Sequence, residues 1–367
     1  MITSFHICGF RGHRDSIFPF TDHSCIIGGN GSGKTHILEG IHLASGGALH
    51  YIQAPRWEDS AFEITFLEAI WSKHYIRERR ENKDIYRIQW SKVTGNKYLE
   101  NLPYRTVFLS PFDMNLFYFA PSFRRDMLDS ILERTFGQFR KVRREYEAIM
   151  RQRNALLKQI REGEAQRSDL QYWNKTFATT TILYHMYRMK WVEFLREELN
   201  ILERFLPKYQ FEYVYSSKLI EQSREYNLWL EESLVKYLEA NTERDILTGH
   251  THIGPHLDDF SFLVKPRWWD DESVGSAYYL SRGENKVLLL TLKQIEILFL
   301  RKYLELPIIL LFDDIFAELD FAYAETIIAW YDADQVIMTS QRPLPQWENW
   351  GHFSCINLNT EYYATNI

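Results

Sequence analysis

Cysteine is scarce in this chain: Cys8, Cys25 and Cys355 are the only three among 367 residues. They share no metal-like spacing and form no even framework, which excludes a disulfide scaffold and fits a reducing, cytoplasmic compartment. Long hydrophobic runs are absent as well. No window reaches 18 uncharged apolar residues, and the N-terminus M-I-T-S-F-H-I-C-G-F-R has no basic segment followed by an apolar one. Neither a membrane span nor a secretory leader is therefore expected. A basic surplus is missing too, since 43 Lys and Arg stand against 49 Asp and Glu, for a net charge of −6 and a pI near 6.1. Nucleic acid would have to be met by a local patch. What the chain does have is core material, 45% apolar and 16% aromatic. That suffices for two domains or one large elaborated domain and argues against disorder over most of the length.

The most specific stretch is Ile26-Ile27-Gly28-Gly29-Asn30-Gly31-Ser32-Gly33-Lys34-Thr35, a short apolar run ending in G-x-x-x-x-G-K-T. Such a loop wraps successive backbone N–H groups around a polyphosphate, with Lys34 as a point charge and the Thr35 hydroxyl as a Mg²⁺ ligand. Ordinary residue frequencies give this pattern by chance in roughly one chain in a hundred of this length. Context lowers that further: residues 24–27 read as a buried strand, and residues 34–43 as a helix with Ile37, Leu38 and Ile41 on one face. Upstream, residues 2–8 and 15–20 are expected to pair as strands joined by residues 9–14. Arg11 and Arg14 in that connection are either solvated or set, one at least, against nucleotide phosphate, and Arg11 is carried forward as a candidate ligand. Residues 61–90 carry a meander signal, expected as an antiparallel sheet beside the phosphate-loop sheet, and residues 105–109 look like another core strand.

Beyond Gly137 the period becomes helical. Phe139, Val142, Tyr146, Ile149, Leu156 and Ile160 follow a three-four spacing interrupted at Arg153. After a polar break a second stripe runs through Trp173, Phe177, Tyr184, Tyr187, Trp191, Phe194, Ile201 and Phe205. The two predict an antiparallel helical hairpin with a partly aromatic seam, the stripe being core rather than a cofactor box. Residues 137–161 hold eight Lys or Arg against Glu145 and Glu147, a local charge of +6. That is either a solvated helix face or a surface for a phosphate backbone.

In the last third, Leu280-Ser281-Arg282-Gly283-Glu284 precedes a long apolar helix over residues 287–304. Ser281 stands at the N-cap and Gly283 permits close backbone approach. A capped core helix explains this segment, and so does an anion site for the γ-phosphate of a second nucleotide. Residues 307–312 then form a strand buried on both faces that ends in Asp313-Asp314. Paired carboxylates there are expected to serve as Mg²⁺ shell (Asp313) and as the group that orients the attacking water (Asp314). Residues 335–340 form a further core strand whose polar end faces the same sheet edge.

The order of these pieces resembles ABC-type ATPase heads and, more closely, the RecF family of recombination-repair ATPases, nearly end to end. The segments that carry the resemblance are G-G-N-G-S-G-K-T-H-I-L-E-G-I, L-S-P-F-D at 109–113, P-S-F-R-R-D-M-L-D at 121–129, Q-R-N-A-L-L-K at 152–158, E-R-D-I-L-T-G-H-T-H-I-G-P-H-L-D-D-F at 243–260, L-S-R-G-E-N-K at 280–286 and L-F-D-D-I-F-A-E-L-D at 311–320. The resemblance implies an α/β fold: an ABC-type head with a mixed sheet and antiparallel β subdomain, residues 1–109 and 245–367, around an inserted helical lobe, residues 110–244. It implies that ATP and Mg²⁺ are held by residues 28–35, with Lys34 catalytic and Thr35 and Asp313 on the metal. Ser281 and Gly283 would act across an ATP-dependent homodimer, and Asp320 would touch the partner protomer. The implied partners are gapped duplex DNA and RecR- and RecO-type mediators. This chain departs from the family at Glu284, where Gln is usual, at Leu257, where a basic residue follows G-P-H, and at Lys286, where Arg is usual. A different reading, a structural SMC-like head, is disfavoured by a hairpin of only about 70 residues, too short for a long tether. A small-molecule kinase would leave L-S-x-G and A-E-L-D unexplained.

Overall fold

A computed structural model describes residues 1–45, 47, 59–66, 69–80, 83–92, 104–221, 231–269, 273–314, 330–342 and 353–358. The chain forms two compact units, one of residues 1–115 and 281–367, the other of residues 116–280.

The first unit begins with β1 (Ile2–Phe10) and β2 (His13–Pro19), antiparallel about a two-residue turn, and continues through β3 (His23–Ile27) into the glycine-rich loop and α1 (Lys34–Ala44). Next come β4 (Asp59–Phe66), β5 (Ala69–Arg80) and β6 (Lys83–Lys92), then β7 (Arg105–Leu109). The predicted meander is an antiparallel sheet in the order β2-β1-β4-β5-β6.

The second unit opens with α2 (Pro121–Thr135), α3 (Gly137–Glu162) and α4 (Leu170–Glu198). At 1.5 Å per residue α3 and α4 are each roughly 40 Å long, and they pack as the expected hairpin. Phe177, Tyr184, Trp191 and Phe194 are buried in it, and Phe139, Tyr146 and Tyr184 meet edge to face with ring centroids about 5 Å apart. Where periodicity breaks, at Arg153, the side chain is fully buried and donates to Asp245, Thr251 and the Asn174 amide oxygen. The unit is completed by β8 (Tyr209–Ser216), α5 (Lys218–Glu221), α6 (Glu231–Ala240), α7 (Thr242–Thr248), β9 (Asp259–Pro266), β10 (Val274–Gly275) and α8 (Ser276–Tyr279), with sheet order β10-β9-β8.

The return to the first unit falls at residue 281, not 245 as expected. Residues 245–280 are tied to the helices: Asp245 pairs with Arg153, Asp258 with Arg188, and β9 with β8 along its whole length. The first crossing falls after Asn115 rather than after residue 109.

Back in the first unit are α9 (Arg282–Tyr303), β11 (Ile308–Phe312), β12 (Gln335–Ser340) and β13 (Ser354–Asn357). These last strands join β3 and β7 in an all-parallel sheet, β13-β3-β12-β11-β7. Burial on both faces is what a parallel sheet demands, and Ile308 to Phe312 are all buried. Ile26, Phe108, Ile309, Leu311 and Ile337 share a core with Ile37, Leu38 and Ile41 of α1. Every residue of α9 from Asn285 to Ile297 is buried.

Candidate nucleotide site

Because all five strands run the same way, their carboxyl ends gather at one edge, where open α/β sheets bind ligands. The loop after β3, Asp313 after β11 and Ser340 at the end of β12 all lie there. Gly28 N–H donates to the Ser340 carbonyl (3.2 Å) and Asp313 N–H to the Leu109 carbonyl (2.9 Å), so the loop and the acidic pair continue the sheet's own ladder.

Gly31 (φ +80°) and Gly33 (φ +94°) take left-handed backbone that other residues resist, curving the loop into a concavity at the N-terminus of α1. Gly33 is held from behind: buried His13 Nε2 donates to its carbonyl at 3.1 Å, and a Cβ on Gly33 would stand 2.7 Å from that nitrogen. Burial lowers the His13 pKa below the ordinary 6.5, against the pull of that bond, so the ring is neutral. His13 was not predicted. It lies on β2, and only the pairing of β2 with β1 brings it near the loop. Beside Gly31, Ser32 and Gly33 opens a cavity of about 290 Å³, also lined by Gly12, His36 and Leu358, at the lower end of small-molecule sites.

Lys34 is buried, and its ammonium donates to the carbonyls of Gly28 (2.6 Å) and Gly29 (2.8 Å). Thr35 Oγ1 donates to Asp313 Oδ1 at 3.0 Å, and Thr339 Oγ1 donates to the same oxygen at 2.8 Å. Thr339 also accepts from Asp314 N–H (2.9 Å), and Gln341 Nε2 donates to Asp314 Oδ2 (3.0 Å). Asp314 sits at φ +46°, a conformation Asp tolerates better than most residues. Thr339 and Gln341 thus set the two carboxylates in place. Sequence placed Thr339 at the right sheet edge, but no spacing signal marked Gln341.

Burial raises the Asp313 pKa above 3.8, with the two hydroxyl bonds opposing it. A buried carboxylate beside a hydroxyl is the hard-oxygen donor set that Mg²⁺ takes, so Thr35 and Asp313 fit that ion. The raised pKa also carries a stability consequence. The folded state binds this proton more tightly, so the contribution is fully present below pH 3.8 and is lost as pH rises through the raised pKa. Asp313→Asn keeps an oxygen for both hydroxyls and removes the buried charge. The variant is expected to melt about 2–4 °C higher than wild type at pH 7 in metal-free buffer. Equal or lower Tm in differential scanning calorimetry would contradict this.

Arg11 pairs with buried Glu39 of α1 at 2.6 Å, and Arg14 is exposed. The structure therefore directs the Arg11 guanidinium to a carboxylate of the phosphate-loop helix. Ser281 and Gly283 are exposed at the start of α9. Ser281 Oγ accepts from Glu284 N–H (3.3 Å) and Ser281 N–H donates to Glu284 Oε2 (2.9 Å), a reciprocal capping box. Glu284 thus folds back on its own helix end. No hydrogen bond or ion pair links Ser281 or Gly283 to the loop among the described residues. Asp320 lies outside them.

A glycine-rich loop feeding a helix whose Thr35 meets Asp313 at the carboxyl edge of a parallel sheet is the arrangement of an ABC-type ATPase head. A family model described as an AAA domain matches residues 4–248. The chain is 30% identical over 336 residues to the DNA replication and repair protein RecF of Chlorobium phaeovibrioides, covering 85% of each. It is 28% identical over 341 residues to that of Heliobacterium modesticaldum, covering 86% of this chain and 84% of the relative. A solved recombination mediator protein RecF, in its ATP form, superposes with a TM-score of 0.77 at 22% identity, over 94% of this chain and 92% of that one. The chain belongs to the RecF family. No helix among the described residues is long and apolar enough to cross a membrane.

Proposed function

We propose that this chain binds ATP with Mg²⁺, pairs face to face with a second copy while ATP is held, and separates after slow hydrolysis, acting on gapped duplex DNA in recombinational repair. The observation that carries the reading is the Thr35–Asp313–Thr339 cluster at 2.8–3.0 Å beside the glycine-rich loop. In this reading residues 28–34 hold the phosphates and Lys34 turns its ammonium from the loop carbonyls to them. Thr35 and Asp313 hold Mg²⁺, which supplies charge neutralisation on the phosphate oxygens. Asp314 positions water. Ser281 and Gly283 of one protomer complete the partner's nucleotide site, for which an exposed, capped helix N-terminus is suited. RecR- and RecO-type mediators are the proposed protein partners, in line with a solved relative described as belonging to the RecFOR pathway.

Light scattering with ATP and Mg²⁺, on wild type and Lys34→Met, tests this. Wild type is expected to double in mass with ATP, and the variant to stay monomeric with nucleotide affinity down at least about tenfold, since a desolvated charge–charge hydrogen bond is worth more than about 1.4 kcal/mol. A wild type of unchanged mass overturns the dimer.

A further inference from the structure

The +6 stretch of α3 resolves into two populations. Five of its eight cations face carboxylates of the same unit: Arg140 to Glu133 (3.6 Å), Lys141 to Glu145 (3.8 Å), Arg143 to Asp126 (3.0 Å), Arg153 to Asp245 (3.0 Å) and Arg161 to Glu162 (3.7 Å). Arg144, Arg151 and Lys158 have no carboxylate partner among the described residues, and all three are exposed. They recur every seven residues, so they lie on one line of the helix, about 10 Å apart. The positions between them on that line, Ala148 and Ala155, are exposed and small. Glu147, three residues after Arg144, is turned to Arg143 (3.1 Å), and no aromatic ring lies on the line from Arg144 to Lys158.

We infer that the Arg144–Arg151–Lys158 line of α3 is a contact surface for the sugar-phosphate backbone of duplex DNA. The inference rests on the DNA reading above and gives it a place. Three uncompensated cations on an otherwise acidic chain attract a polyanion, and the alanines let it approach the helix closely. The line is held in place because α3 is packed along its opposite face through Phe139, Val142, Tyr146, Arg153 and Leu157, all buried. A surface for unpaired strands would offer aromatic platforms for the bases. This line offers none, so it reads charge and not sequence.

The test is fluorescence anisotropy of the full chain, with ATP and Mg²⁺, on a duplex of about 30 base pairs over a range of salt. Removing one cation from a phosphate lowers the slope of log K against log salt by about 0.9. The triple variant Arg144→Ala, Arg151→Ala, Lys158→Ala is expected to bind at least about tenfold more weakly at low salt, with a slope smaller by about 2.7. Changing Arg144 and Arg151 to Lys keeps the charge and is expected to keep the slope, which separates charge from folding. Unaltered affinity and slope in the triple variant overturn the line of cations as a DNA surface and leave the DNA reading standing. Failure of wild type to bind duplex overturns both. A single-stranded oligonucleotide that competes as well as duplex at equal nucleotide concentration overturns the duplex assignment.

Discussion

Arg188→Leu is expected to destabilise the helical unit by about 3–5 kcal/mol, the largest structural effect of any single substitution considered. Arg188 is 1% exposed and sits between two buried carboxylates. Its Nε and Nη2 donate to the two oxygens of Asp129 (3.0 and 2.9 Å), while Nη1 donates to Asp258 Oδ2 (3.2 Å) and the Pro255 carbonyl (2.6 Å). Tyr184 and Tyr215 hydroxyls donate to the same carboxylates at 2.7 and 2.6 Å, and the guanidinium lies over the Tyr184 ring. Burial works against the charged guanidinium, yet Asp129 and its neighbours hold its pKa well above the ordinary value. Leucine fills much of the volume but leaves two carboxylates without a cation, so the cost comes from uncompensated charge and not from poorer packing. Chemical denaturation followed by circular dichroism measures it, and a loss under about 1 kcal/mol refutes it. Adding Asp129→Leu and Asp258→Leu to Arg188→Leu is expected to recover a large part of the loss, which a packing defect would not.

This network explains why the family segments at 121–129 and 243–260 could be recognised in sequence without their role being read. Asp129 closes the first segment, and Asp245, Thr251, His256 and Asp258 belong to the second. Their partners Arg188, Arg153 and Tyr146 are 59, 92 and 110 residues away in the cases of Asp129, Asp245 and His256. Local periodicity carries no information at such separations. It marked Arg153 as an interruption of a core stripe, whereas that residue is the stripe's buried charge. The domain return was misplaced at 245 for the same reason: the segment's allegiance to the helices depends on ion pairs with Arg153 and Arg188, far away in the chain. The phosphate loop, α1, the double-Asp strand and the Ser281 cap were legible because each depends on close neighbours in the chain. His13 and Gln341 were not, since β-pairing and a chain reversal after β12 bring them to the site.

Asp314→Asn is expected to lower ATP turnover by about 10²–10⁴-fold, the range for loss of a positioned acid–base group, while leaving the fold and ATP binding intact. The substitution suits the site for three reasons. Asn accepts the φ of +46° that Asp314 adopts, at little cost, where alanine would be strained. The backbone N–H bond to Thr339 Oγ1 does not involve the side chain. The amide oxygen can still accept from Gln341 Nε2, as Asp314 Oδ2 does at 3.0 Å. Only the charge is removed, and with it the ability to draw a proton from water. In the proposed cycle this holds ATP in the site and the two copies together, so the mass from light scattering with ATP is expected to stay doubled through a time course in which wild type returns to monomer. Turnover within about tenfold of wild type removes Asp314 from the water-positioning role. Lost turnover with lost ATP binding instead places its charge in nucleotide binding.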